Sequence, residues 1–244
     1  MRRLFGITAW LLIGSAAVAS IYWGFLNTPE STIPALLLSA VLVLITLVIA
    51  GITVNGASLA WSVGWSNAVV RRSISGVPAF VAAALVAGAI WWGTAQALWW
   101  VTTYSGQISA WFIARYGWAD PSPLFNTITW GGRWLQWVVG PLLALSLLGS
   151  LLIGEWSAAR WRWLARGLSP FRLTLATLWV AIFVAAPWIY LLPWRPRGVP
   201  PTSMEVVFVT AKLGVVALLI TIGASLVVRE SIDGDRSREG HDKT

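Results

Sequence analysis

The sequence contains no cysteine and a single histidine, His241, close to its C-terminal end. Without cysteine there is no disulfide and no thiolate, and one histidine cannot supply bis-histidine haem ligation, a histidine metal site or a Ser-His-Asp triad. The sequence also lacks a G-x-x-x-x-G-K-[ST] phosphate loop and paired carboxylates within its apolar segments. We therefore expect no enzyme active site, and no haem or metal ligated through histidine or cysteine.

Charged residues are scarce as well. They make up 11% of the chain, against about 25% in soluble domains, whereas 57% of residues are hydrophobic and the mean hydropathy is +0.73. The apolar residues form runs of about 20, the length that crosses about 30 Å of hydrocarbon. Six candidate spans result, at about 4–26, 33–55, 78–103, 128–153, 173–193 and 205–228. The sequence predicts an all-α, polytopic membrane bundle over residues 1–228 and a charged cytoplasmic tail over 229–244.

The first span has one alternative interpretation. Arg2 and Arg3, the apolar stretch and the small residues Ala17-Val18-Ala19 also fit a cleaved signal peptide. The apolar run continues past this point through Tyr22, Trp23 and Phe25, which favours a retained first helix.

The basic residues predict the orientation of the bundle. If both termini are cytoplasmic, twelve Lys and Arg residues lie in the cytoplasm and only four lie outside, namely Arg115, Arg133, Arg195 and Arg197. Cytoplasmic loops carry such an excess of Lys and Arg. This pattern accounts for the net charge of +8 without nucleic-acid binding. We expect six crossings with both termini inside, in the inner (plasma) membrane of a bacterial cell.

Two connections are long enough to form helices of their own. Residues 57–74 place Trp61, Trp65 and Val69 four residues apart and end in Arg71-Arg72, and residues 105–118 hold a second aromatic segment. Such patterns suit one or two helices that lie in the membrane interface. The alternative is that both segments are the ends of long, tilted spans.

Tryptophan is unusually frequent, with 19 residues. Most of them fit the aromatic belts at the two membrane surfaces. The third span also holds Trp92, Gln96 and Trp99, which form a candidate apolar pocket for a lipid tail, a quinone or a pigment. The alternative for polar Gln96 is a hydrogen bond to a neighbouring helix.

The third span also carries a row of small residues. Ala89, Gly93 and Ala97 follow one another at intervals of four, which lets another helix approach closely. This row can pack within the chain or against another subunit.

Ionisable residues within the spans are nearly absent. Lys212 is the clear exception, and it lies two helical turns after Glu205 on the last span. Because Lys212 is about 10 Å from the external end, we expect its amino group to reach the interface or to pair with Glu205. A proton relay would need more acids than these.

Three functions remain compatible with these features. The leading hypothesis is a non-catalytic multi-pass subunit that anchors or scaffolds a larger complex of membrane subunits in the lipid bilayer. The second is the permease subunit of an ATPase-driven transporter, with Arg71 and Arg72 as docking residues. The third is a subunit that binds an apolar cofactor, pigment or lipid at Trp92, Gln96 and Trp99.

Overall fold

The computed structural model describes residues 2–28, 32–152, 164, 167–194 and 203–232. Eight helices and no strands lie within these ranges. They are α1 (Arg2–Leu26), α2 (Ile33–Val63), α3 (Asn67–Ser75), α4 (Val77–Thr103), α5 (Ser105–Tyr116), α6 (Ser122–Leu152), α7 (Pro170–Leu191) and α8 (Ser203–Ile232). All except α3 and α5 are long and apolar enough to cross a membrane. The predicted all-α bundle with six spans is confirmed, and the chain is a multi-pass membrane protein.

The second span is longer than predicted. Helix α2 continues past residue 55 to Val63 and ends at Gly64, whose φ of +84° is readily adopted only by glycine. A separate nine-residue helix, α3, follows. The prediction of one interfacial helix over 57–74 is therefore wrong, because Trp61 belongs to α2 and Trp65 lies between the helices. The alternative, that this segment extends a span, is correct for residues 57–63.

A buried side chain explains why α2 does not stop at residue 55. The Asn55 side chain is fully buried, and its Nδ2 donates a hydrogen bond to the Ser73 carbonyl of α3 at 3.0 Å. A polar side chain within a span is stable when it has such a partner. Asn55, the last residue of the predicted second span, thus fixes α3 to α2.

Three other predicted boundaries also move. Residues 105–116 form helix α5, which ends at Gly117 in the left-handed conformation. Helix α6 begins at Ser122, six residues before the predicted start, with Pro123 in its first turn, where the missing N–H is not needed. Helix α8 continues to Ile232, four residues beyond the predicted end of the last span. The rest of the predicted tail, 233–244, lies outside the described residues, and the interfacial position of α5 stays a prediction.

Two of the spans contain π-helical turns that the sequence analysis did not predict. One lies in α6 at Leu135–Val139, and two lie in α7 at Ala181–Ala185 and Pro187–Leu191. The π-helical turn of α6 lies beside Pro141. The two π-helical turns of α7 lie around Pro187. Proline provides no N–H for the regular ladder, and the wider turn is one way to accommodate this loss.

The buried core lies at one end of the bundle. The inner end of the bundle is defined as the end at which α1 begins and α2 and α8 end. The outer end is the opposite one. Three clusters form the core, all in the inner half or near the middle: Ile7, Leu11, Ala57, Ala60 and Val228; Ala79, Ala83, Ala144 and Leu148; Val138, Leu142, Ala176 and Val227. The outer halves of the spans carry mostly exposed side chains.

Helix α8 occupies the centre of the bundle and α4 lies at its edge. Helix α8 contacts α1, α2, α6 and α7, whereas α4 packs mainly against α6 and α2. This arrangement leaves the opposite face of α4 uncovered by the described part of the chain.

Candidate functional site

The structure places all three residues of the predicted pocket on the surface. Trp92 is 66% exposed and Trp99 is 58% exposed, and Gln96 is exposed between them. The three side chains do not enclose a cavity with one another. Any ligand of Trp92 and Gln96 would therefore bind on the outside of the chain.

The row of small residues faces the same way. Ala89, Gly93 and Ala97 are exposed, and no described atom lies within 4 Å of the position that a Cβ on Gly93 would occupy. On a helical wheel these residues flank Gln96, so they share one face of α4. We name this the α4 face, defined by Ala89, Trp92, Gly93, Gln96 and Ala97.

The polar groups near this face differ in their hydrogen bonding. Thr94 Oγ1 donates to the Ile90 carbonyl at 2.7 Å within the same helix. Gln136 of α6 donates through Nε2 to the Trp91 carbonyl at 3.3 Å and so connects two spans. Within the described residues, Gln96 has no hydrogen-bond partner for its side chain. The sequence analysis did not single out Gln136, because an amide on a span gives no sign of which helix it contacts.

Arg71 and Arg72 lie on the exposed side of α3 at the inner end. Val69 and Ser73, on the other side of this helix, are buried, and Ser73 Oγ donates to the Val69 carbonyl at 2.7 Å. The bond from Asn55 to Ser73 fixes α3 in place. The two guanidinium groups are thus presented side by side on a helix whose position is fixed.

Among the described residues Lys212 forms no ion pair with Glu205, and the expectation that its amino group reaches the membrane interface stays a prediction. Its Nζ donates to the Leu192 carbonyl at 2.8 Å and to the Trp194 carbonyl at 3.2 Å, and lies 5.6 Å from the centre of the Phe208 ring. Lysine satisfies carbonyls at the C-terminal end of α7, where the helix dipole also favours a cation. Lys212 therefore fixes the end of α7 against α8.

A cavity of about 590 Å³ with both apolar and polar walls opens at the outer end, where α4, α5 and α6 meet. Six hydroxyl or amide side chains line it, namely Thr102, Ser105, Ser109, Ser122, Asn126 and Thr129. Its apolar walls include Trp99, so one residue of the predicted site does border a cavity. The sequence analysis missed this cavity because its lining comes from three separate helices.

Titratable groups are as sparse in the structure as in the sequence. No cluster of three or more His, Asp or Glu residues that could hold a metal occurs among the described residues. Asp120 precedes α6, and hydrogen bonds from the side chain and backbone N–H of Ser122 lower its pKa. Asp120 thus orders the start of α6 beside the cavity.

No protein-family model, curated protein or solved structure matches this chain.

Proposed function

We propose that this protein is a non-catalytic subunit of a larger membrane protein complex in the inner (plasma) membrane of a bacterium. We further propose that the α4 face packs against a transmembrane helix of a partner subunit. One observation carries the proposal: Gln96, without a hydrogen-bond partner in the described part of the chain, projects from the same face as an uncovered row of small residues.

The polar side chain is the first step of the argument. Gln96 lies seven residues before the end of α4, about 10 Å below its outer end, with tryptophans one turn above and one turn below. Lipid tails offer no hydrogen bond, so an amide at this depth gains from a partner helix. Hydrogen bonds between membrane helices contribute about 0.6 kcal/mol on average and up to about 1.7 kcal/mol.

The small residues are the second step. Helices in a membrane associate through close van der Waals packing, and small residues four apart let two backbones approach. Exposed positions on α2 differ from this pattern. They carry bulky aliphatic side chains such as Leu37, Val41 and Leu44, which suit contact with lipid tails. The residue composition of the α4 face therefore suits contact with another helix better than contact with lipid tails.

The test compares two glycines of α4. Gly93 and Gly88 both have no described atom within 4 Å of a Cβ, but Gly88 is rotated by about 140° around the helix. The tagged protein is extracted from its native membrane in mild detergent, and copurifying proteins are quantified by mass spectrometry. Gly93→Leu should abolish copurification of a stoichiometric partner, whereas Gly88→Leu should leave it unchanged. Gln96→Leu should weaken it by about 3- to 20-fold.

Two results would refute the proposal. The first is a monodisperse monomer with no partner after extraction in native lipid. The second is an assembly made only of copies of this chain, which would make the α4 face a contact between identical subunits.

Arg71 and Arg72 favour a second candidate function, the permease subunit of an ATPase-driven transporter. Two exposed cations on a fixed helix at the inner end are suited to an acidic surface of a soluble ATPase. Replacing both arginines with glutamate should uncouple the ATPase activity of the purified assembly from transport. An assembly without ATPase activity, or activity unchanged by the double substitution, would eliminate this candidate.

A further inference from the structure

The cavity at the outer end lies on a different side of α4 from the proposed partner contact. Leu98 and Thr102 line it and are turned towards α6, whereas Gln96 projects away from the bundle. Leu98 also packs onto the surface of buried Gly132, which places α4 close to α6 below the cavity. A ligand of the cavity can therefore bind independently of a partner helix on the α4 face.

Several hydrogen-bonding groups of the cavity are unused. The hydroxyls of Thr102 and Ser105 donate to backbone carbonyls of α4, at 2.6 Å to Leu98 and 2.8 Å to Thr102 respectively. In contrast, the side chains of Ser109, Asn126 and Thr129 make no hydrogen bond with any described residue. Together they offer two hydroxyls and an amide that can donate and accept. These three groups can recognise the polar rim of a ligand.

The lining also restricts the charge of a ligand. None of its residues is Lys, Arg, Asp or Glu. A charged group placed here would find no counter-ion in the lining, and the nearby Asp120 carboxylate already accepts two hydrogen bonds from Ser122. A neutral group that carries several hydroxyls would exchange its water hydrogen bonds for those of the lining at little cost.

The walls provide the apolar part of such a site. Trp99 and Phe125 both border the cavity. A sugar ring has one face of C–H groups and a rim of hydroxyls, so it can pack on an aromatic side chain while its rim meets polar groups. The volume of about 590 Å³ lies within the range of about 300–1,000 Å³ that is usual for small-molecule sites.

We propose that this cavity binds an uncharged sugar ring, either free or as the headgroup of a glycolipid in the outer leaflet. Ser109, Asn126 and Thr129 bind its hydroxyls, and Trp99 and Phe125 pack on its apolar face. The site does not depend on the proposed partner contact.

The test uses a substitution that fills the cavity. Gly106 lines it and has open space where a Cβ would stand, so Gly106→Phe should fill the site without displacing the helices. Gly131 on α6 has equally open surroundings and does not line the cavity, so Gly131→Phe is the matched control. Asn126→Ala removes one hydrogen-bonding group, which should weaken binding by up to about tenfold.

Binding is measured with the full chain in phosphatidylcholine nanodiscs. Free sugar is probed with methyl β-glucoside by saturation-transfer NMR, and lipid-borne sugar with glucosyl-diacylglycerol by native mass spectrometry. Binding of either probe that Gly106→Phe abolishes and Gly131→Phe preserves supports the proposal, and the probe that binds identifies the source. Failure of both probes to bind, binding unaffected by Gly106→Phe, or equal binding of anionic phosphatidylglycerol would overturn it.

Discussion

Replacing Gly14 with alanine tests whether α1 and α2 depend on the close contact between the Gly14 backbone and the Thr53 side chain. A Cβ on Gly14 would stand 2.8 Å from the Cβ of Thr53, closer than real Cβ atoms come. Thr53 cannot turn aside, because its side chain is β-branched and its Oγ1 donates to the Ile49 carbonyl at 2.7 Å. The helices must therefore move apart, which also strains the bond from Trp10 Nε1 to the Thr53 carbonyl.

Two contributions of opposite sign determine the magnitude. Overpacking of this kind destabilises by about 1–3 kcal/mol. Alanine stabilises a helix by about 0.8–1 kcal/mol relative to glycine. The control is Gly88→Ala, because open space surrounds Gly88 and only the second contribution applies. The difference between the two variants isolates the overlap, so Gly14→Ala should be less stable than Gly88→Ala by about 1–3 kcal/mol.

The free energy of unfolding can be measured by steric trapping or by SDS titration in mixed micelles, with tryptophan fluorescence as the signal. Adding Thr53→Ala removes the Oγ1 and Cγ2 overlaps and should recover part of the loss in a double-mutant cycle. If Gly14→Ala and Gly88→Ala changed the stability equally, the close approach of α1 and α2 would not exist as described.

Three further predictions concern single hydrogen-bonding groups. Lys212→Met removes both bonds to the C-terminal end of α7 and should lower the stability by about 1.5–3 kcal/mol in thermal unfolding; Glu205→Gln should have little effect, and equal losses would contradict the assigned role of Lys212. Asn55→Leu releases α3, so amide exchange over residues 67–75 should accelerate while that of α8 stays unchanged; unchanged exchange in α3 would refute the anchoring. Because Ser122 holds the pKa of Asp120 below the ordinary 3.8, its stabilising effect is present above pH 3.8 and is lost as the pH falls through the lowered pKa. Ser122→Ala should raise that pKa towards 3.8 in an NMR titration, and an unshifted titration would contradict the assigned hydrogen bonds.

Apolar run lengths predicted two of the spans closely. The predicted limits of the first and third spans agree closely with α1 and α4. The second span was ended at Asn55 because run length cannot show that the distant Ser73 carbonyl accepts a hydrogen bond from the Asn55 amide. Helix α6 begins before the predicted residue 128, because Pro123 lies in its first turn, where proline is compatible with a helix.

The candidate sites were harder to predict. Trp92, Gln96 and Trp99 were grouped correctly by their spacing along one helix, but spacing does not tell whether a face points into a bundle or away from it. The cavity lined by Ser109 and Asn126 depends on how α5 meets α6, a tertiary relation that leaves no periodic pattern in the sequence. The bonds from Lys212 to the carbonyls of Leu192 and Trp194 were not predicted, because the sequence does not show that the end of α7 lies beside Lys212.

The concentration of buried contacts at the inner end has a mechanical consequence. The clusters around Ile7, Leu148 and Val227 hold the six spans together in the inner half, whereas isolated contacts such as those of Lys212 join them at the outer end. The inner clusters therefore resemble a fulcrum, and a small change of tilt there becomes a larger displacement at the outer ends. Such a bundle is expected to change its splay with the thickness and lipid composition of the outer leaflet.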